Sequence, residues 1–231
     1  MGYKIMKLEK DILFGQSVDF WVCVGQSGSG KTELALNLSK VLREYGKKVG
    51  IVDLDYSKGH FRCRDQRNAP EFKEIPIFFN YSQELDTPYI PGTQDIEQWK
   101  SCETIIIDVA GDLKGICCLG TLSALFSGKQ VNCLHVWNPY RGCMEMAEEM
   151  DRELKWVIRV IPHSNNIVVA NPHIGSLTTE IVWRAGVKRM AKEMGEKRMG
   201  LYLCPYSLKD ILAKENVFPL HLYVQATVNE L

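Results

Sequence analysis

Two hydrophobic rhythms alternate along the chain. Short runs that are apolar throughout, VDFWVCV (18–24), KKVGIVDLD (47–55), TIIIDVA (104–110), VNCLHVW (131–137), NIVVA (166–170) and GLYLC (200–204), have the length of strands buried on both faces. Between them run patterns with apolar residues every three or four positions. After the first strand, Leu34, Leu38, Val41 and Leu42 form one helical face, which Gly46 stops. Met146, Met150, Leu154, Val157 and Ile161 mark a second helix within 144–161, and Ile181, Val182, Ala185, Met190 and Met194 a third within 178–195. Wholly apolar strands alternating with helices predict a three-layer α/β/α sandwich around a mostly parallel sheet. The stretch 60–100, with prolines at 70, 76, 88 and 91, breaks the rhythm and predicts loops, a short strand at IPIFF (75–79) and insertions near the site. No linker, repeat or composition break divides the chain, so one domain over 1–231 is expected.

Composition narrows the class. Of 231 residues, 45% are hydrophobic and 24% charged, as in ordinary globular material. Lys and Arg number 28 and Asp and Glu 28, so the chain carries no net charge. That balance argues against coating nucleic acid or an anionic membrane, and nucleic acid is not an expected partner. The most basic helical face, with Arg184, Lys188, Arg189, Lys192, Lys197 and Arg198, is interrupted by Glu193 and Glu196 and reads as a solvated face. Eight cysteines show no C-x-x-C spacing, and Cys23, Cys133 and Cys204 sit inside strand patterns as small hydrophobes. No leader and no apolar run of about 18 residues is evident, so a cytoplasmic protein with reduced thiols and no transmembrane segment is expected.

The chemistry lies between the first strand and the first helix. GQSGSGKT (25–32) fits the phosphate-binding pattern G-x-x-x-x-G-K-[ST] in a strand–loop–helix context. A glycine-rich turn lets backbone N–H groups close on phosphate oxygens, and the helix N-terminus adds partial positive charge. Gly25, Gln26, Ser27, Gly28, Ser29, Gly30, Lys31, Thr32 and the following Glu33 are the candidate nucleotide-binding residues. Lys31 is assigned to the β- and γ-phosphates and Thr32 to Mg²⁺. Asp53, Asp55 and Asp108 fall at the ends of two apolar strands, where such sheets bind ligands. Val109, not an acid, follows Asp108, so the catalytic carboxylate must come from elsewhere, and the D-L-D at 53–55 is the obvious candidate.

GQSGSGKT, the helix ending in REYGKKVGIVDLD, and IIIDVAGD together resemble the MinD/ParA/CobQ branch of P-loop NTPases, the SIMIBI class. DLDYSKGHFRCRD, WNPYRG and VANPHIGSLTTE resemble a narrower set of bacterial ATP-binding proteins within it, and the matches extend over roughly residues 20–205. The resemblance implies that Asp55 orients the attacking water, Asp53 supports Mg²⁺ through water, and Asp108 is the aspartate of the second motif, with Gly111 near the γ-phosphate. It places Asn171 on the base and Pro205 beside the base edge. In one respect the chain departs from the pattern. Many relatives carry a second lysine after the first loop glycine, reaching a dimer partner's nucleotide, and here that position is Gln26. A homodimer stays open.

Neither NPYRG nor NPHIG is an N-K-x-D loop, the usual source of a carboxylate for guanine, so ATP is expected over GTP. Three uses of the nucleotide remain. One is a slow ATPase acting as a switch or accessory factor on a protein partner or metal centre. The others are an ATP-dependent transferase, whether a small-molecule or polynucleotide kinase or a ligase or amidase, and a module that binds without turnover. Arg62 and Arg64 could then meet an anion or only water, and Cys117 and Cys118 could share a metal or pack in a helix.

Overall fold

A computed structural model describes residues 17–56, 62–80, 89–141, 145–212 and 216–224. Phe61, Pro88 and Cys143 lie outside them. Eight strands form one sheet: β1 (Phe20–Gly25), β2 (Val49–Leu54), β3 (Ile77–Phe78), β4 (Thr104–Val109), β5 (Val131–Trp137), β6 (Asn165–Ala170), β7 (Met199–Pro205) and β8 (Val217–Leu220). Their order is β3-β2-β4-β1-β5-β6-β7-β8, and every pairing is parallel. The helices are α1 (Lys31–Glu44), α2 (Thr93–Trp99), α3 (Leu113–Gly120), α4 (Met146–Val160) and α5 (Glu180–Met190).

The strands are apolar throughout because both faces are covered. On β1, Trp21 and Cys23 pack into a core shared with Leu34, Leu38 and Leu42 of α1. Phe20, Val22 and Val24 point the other way, into a core shared with Ile116 and Leu119 of α3 and Val157 of α4. The alternation of side chains along a strand thus divides one apolar run between two cores. Three layers result: α1 on one face, the other helices opposite.

The helical patterns fare differently. All five marked residues of the 144–161 pattern are buried. In the 178–195 pattern Met190 and Met194 are buried as expected, but Ile181 is 82% exposed and Ala185 is exposed, and Trp183 and Gly186 turn inward instead. Tertiary contacts set that face. Trp183 Nε1 donates to Leu203 O at 2.7 Å, and a Cβ at Gly186 would lie 2.5 Å from Pro172 Cβ. The three arginines of this region are ion-paired, Arg184 with Glu180, Arg189 with Glu193 and Arg198 with Asp151.

Topology places the site. From β1 the chain crosses to β2 on one side, and from β4 it passes over β1 to β5 on the other. Connections leaving in opposite directions open a crevice at the carboxyl ends of β4, β1 and β5. Asp53 and Asp108 are register partners at that edge.

Candidate nucleotide-binding site

The glycine loop leaves β1 at Gly25, whose φ of 135° disfavours any side chain and whose Cβ would sit 2.1 Å from Val136 O. It enters α1 through Gly30, a left-handed N-cap with no side-chain cap, so the first N–H groups of the helix have no side-chain acceptor there. Uncapped N–H groups behind a glycine turn suit an anion. Lys31 is 5% exposed and folds back to donate to Gln26 O at 2.8 Å. Gly111 lies against the same loop, since a Cβ there would meet Ser27 N at 2.4 Å. Gln26 points its amide at α4, donating to Glu149 Oε2 at 2.9 Å.

Beside the loop sits a buried carboxyl. Asp108 Oδ2 accepts from Thr32 Oγ1 at 2.7 Å and from the Cys63 thiol at 3.4 Å. Asp108 Oδ1 is buried with no partner among the described residues. Burial, then the neighbouring Asp53 charge, pushes Asp108 up to about 7, against the pull of Lys31 and the Thr32 hydroxyl. A buried carboxyl with a bare oxygen beside a threonine hydroxyl is a hard-oxygen donor set, and Mg²⁺ fits it. Thr32 and Asp108 would hold the ion, which would neutralise charge on the phosphates.

The structure puts Asp53 on an arginine rather than open to a cation. Arg64 Nε donates to Asp53 Oδ2 at 2.8 Å, one terminal guanidinium nitrogen to Oδ1 at 3.1 Å, and the Arg64 backbone N–H to Oδ2 at 3.0 Å. The same guanidinium reaches Asp55 O at 2.5 Å, and Asp55 N donates to Asp53 Oδ1 at 3.0 Å. Asp55 is half-buried at the mouth of this cluster. Arg64 is therefore neither solvated nor open to an anion. The 3₁₀ turn Cys63–Gln66 anchors it and brings Cys63 onto Asp108.

On the other flank a cavity of about 430 Å³ opens between the loop, residues 138–141, 171–175 and 220–224. Asn171 Nδ2 donates to Ser29 O at 2.7 Å and packs on Gly30, where a Cβ would be 2.2 Å from that nitrogen. Arg141 Nε donates to Gly28 O at 3.2 Å. Pro205 is buried at the end of β7 and is not among the residues that line the cavity. The segment after β8 takes that place, with Leu220, Leu222 and Val224 on the wall. Glu33 holds this segment, accepting from Tyr223 N at 2.5 Å and Val224 N at 3.1 Å. Neither the 220–224 wall nor His173, also on the wall, is singled out by the sequence patterns. The run VFPL after Asn216 was the only signal for the former.

Cys117 is exposed and Cys118 buried on α3. Among the described residues no group of three or more His, Cys, Asp or Glu could hold a metal ion, and no helix is long and apolar enough to cross a membrane.

A loop, a buried aspartate and a doubly covered parallel sheet in this arrangement agree with comparison to known families. The model of the CobQ/CobB/MinD/ParA nucleotide-binding domain matches residues 20–190. The chain belongs to this family. Among curated proteins, none matches. Solved structures similar to it include FtsY from Mycoplasma mycoides, at 13% identity and TM-score 0.50, covering 83% of this chain and 60% of that one. The signal recognition particle 54 kDa protein from Aeropyrum pernix K1 in complex with GDP is 19% identical at TM-score 0.48, covering 81% and 41%. FtsY from Elizabethkingia anophelis in complex with GDP is 13% identical at TM-score 0.45, covering 68% and 49%. The chain thus spans 41% to 60% of the length of these proteins. At such identity the Mycoplasma likeness shows a shared fold. The protein is a P-loop nucleotide-binding domain of the SIMIBI class.

Proposed function

We propose that the protein binds Mg-ATP and hydrolyses it slowly, as a switch or accessory factor for a partner protein or metal centre. The observation that carries this reading is Asp108, a fully buried carboxyl with one oxygen unpartnered among the described residues, touching Thr32 at the end of the phosphate loop. A bare carboxyl oxygen in a dry site has a purpose when a cation completes it. Lys31 moves from Gln26 O to the phosphates when nucleotide binds, and the uncapped start of α1 receives their negative charge. Asp55 orients the attacking water. Water oxygen bonds to the γ-phosphorus, the bond to the β-phosphate oxygen breaks with its electrons leaving on ADP, and the water's protons pass to phosphate and solvent.

Adenine is favoured over guanine by the donors the cavity must satisfy. Guanine brings N1–H and a 2-amino group, which want a carboxylate. Glu33 is the carboxylate on the cavity wall, and both its oxygens already accept backbone N–H groups. Burial is the largest influence on Glu33 and raises its pKa.

Equilibrium binding tests the first step. Lys31→Ala removes the charged contact and lowers Mg-ATP affinity about tenfold or more, the scale of a charge-assisted hydrogen bond. A folded Lys31→Ala protein with unchanged affinity would sink the assignment. ATP competes more strongly than GTP, and equal competition would overturn the base reading. ³¹P analysis of products separates the uses: free phosphate alone supports the switch, while phosphate on an acceptor supports the ATP-dependent transferase.

A further inference from the structure

Two residues that line the cavity beside the glycine loop each carry a buried polar atom with no partner among the described residues. Asn171, 4% exposed, commits its Nδ2 to Ser29 O, which fixes the orientation of its amide and leaves Oδ1 with no partner among the described residues. His173, 8% exposed, lines the same cavity, and its Nε2 is likewise unpartnered among the described residues. The ring's tautomer follows from its other nitrogen. Nδ1 accepts the Gly175 backbone N–H at 2.9 Å, and a backbone N–H can only donate, so Nδ1 carries no proton and the hydrogen of the neutral ring sits on Nε2. Burial lowers the His173 pKa, in keeping with a neutral ring.

Neither group is free to reorient cheaply. His173 N donates to Asn171 O at 2.8 Å, and Asn138 Nδ2 donates to His173 O at 2.8 Å. Thr178 closes the turn, accepting from Ile174 N and donating to Gly175 O, each at 2.8 Å. Gly175 adopts φ 69°, which brings its N–H onto the ring. One buried donor and one buried acceptor are therefore held rigidly on residues lining a cavity that apolar Leu220, Leu222 and Val224 also line. Leaving both unpaired carries a desolvation cost that a ligand of matching pattern removes.

We propose that His173 is a base-reading residue, its Nε2–H donating to a ring nitrogen of the nucleobase while Asn171 Oδ1 accepts from the exocyclic amino group. This rests on the reading of the loop as an ATP site. An amino group next to an unprotonated ring nitrogen is the pattern adenine presents on either edge, through N6 with N1 or N6 with N7. Guanine has two ring-edge donors to satisfy, and Asn171 Oδ1 is the one buried side-chain acceptor of this lining that has no partner among the described residues.

Ligand atoms can be deleted without altering the protein. The unmodified protein is titrated with Mg-ATP, purine riboside 5′-triphosphate, which lacks the 6-amino group, and 1-deaza-ATP and 7-deaza-ATP, each lacking one ring nitrogen. The expected result is about tenfold weaker binding of the triphosphate without the amino group, and of one but not both deaza analogues. His173→Phe then binds ATP about tenfold more weakly and no longer distinguishes that deaza analogue from ATP. Equal binding of ATP and both deaza analogues by the unmodified protein overturns the proposal, as does a folded His173→Phe protein that keeps the discrimination. Lys31→Ala separates the two levels. Binding that is lost in Lys31→Ala but indifferent to the base nitrogens leaves the ATP site standing and removes only the role of His173. Absence of ATP binding by the unmodified protein removes both.

Discussion

At the residue scale, the acids at the carboxyl edge of the sheet divide by environment. Asp108 is dry and half-satisfied, Asp53 is dry and paired, and Asp55 is half-buried beside both. Orienting water is a contribution to the transition state, whereas Lys31 and Thr32 act on the bound ground state. Asp55→Asn, nearly isosteric, therefore keeps Mg-ATP affinity and slows hydrolysis at least about tenfold, or ~1.4 kcal/mol in the barrier. Single-turnover assays beside equilibrium binding check it, and normal hydrolysis would move the role to another group. Because Gln26 turns to Glu149 of its own chain, the rate is expected to change little with protein concentration. A steep rise would mean that a catalytic dimer forms without the lysine.

Asp108 also gives a pH signature to the nucleotide-free protein. Its pKa rises from 3.8 to about 7 in the fold, so between those values the folded state binds the extra proton. Stability from this group is fully present below pH 4 and is lost as pH rises through 7, by on the order of 4 kcal/mol. Asp108→Asn cannot ionise. Its stability relative to the unmodified protein should increase from pH 4 to pH 8 in urea titrations without metal or nucleotide. Parallel curves would show that Asp108 is ordinary.

The element that sequence reasoning described least well is the turn after β2. Cys63–Gln66 is a single 3₁₀ turn, yet it delivers Arg64 to Asp53 and Asp55 and Cys63 to Asp108. Asp53 is fully buried, so Arg64→Met leaves an uncompensated charge in the interior. Loss of one partner of such a pair costs about 3 to 5 kcal/mol. The double variant Asp53→Asn/Arg64→Met should recover much of that loss, since no buried charge is then left alone. Denaturant midpoints decide it. Additive losses in the double variant would mean that the two side chains are not coupled.

At the scale of the whole molecule, both main cores are built on the same strands, with neighbouring residues of β1, β2, β4 and β5 serving opposite faces. Neither can open without exposing the other. One cooperative transition is therefore expected in calorimetry, with calorimetric and van't Hoff enthalpies equal. Two resolved transitions would contradict a single domain over 1–231.

The sequence by itself determined the elements whose signal is local. A strand apolar at every position must be covered twice, and GQSGSGKT between such a strand and a helix is legible because its glycines, lysine and threonine are contiguous. Asp108 could be picked out for the same reason, as the acid closing a buried run. Other features depend on residues far apart in sequence that only folding brings together. Arg64 reaches Asp53 from 11 positions away, Glu33 fastens residues 223 and 224 onto the first helix, and the cavity beside the loop draws its walls from the loop, from 138–141, from 171–175 and from 220–224. α5 makes the same point within one helix. Its periodicity was plain, but which face turned inward was fixed by Trp183 meeting Leu203 and Gly186 meeting Pro172. Periodicity records that a helix has an apolar side. Where two or more stripes compete, the neighbours that remove one of them from water choose between them, and those neighbours exist only in the tertiary structure.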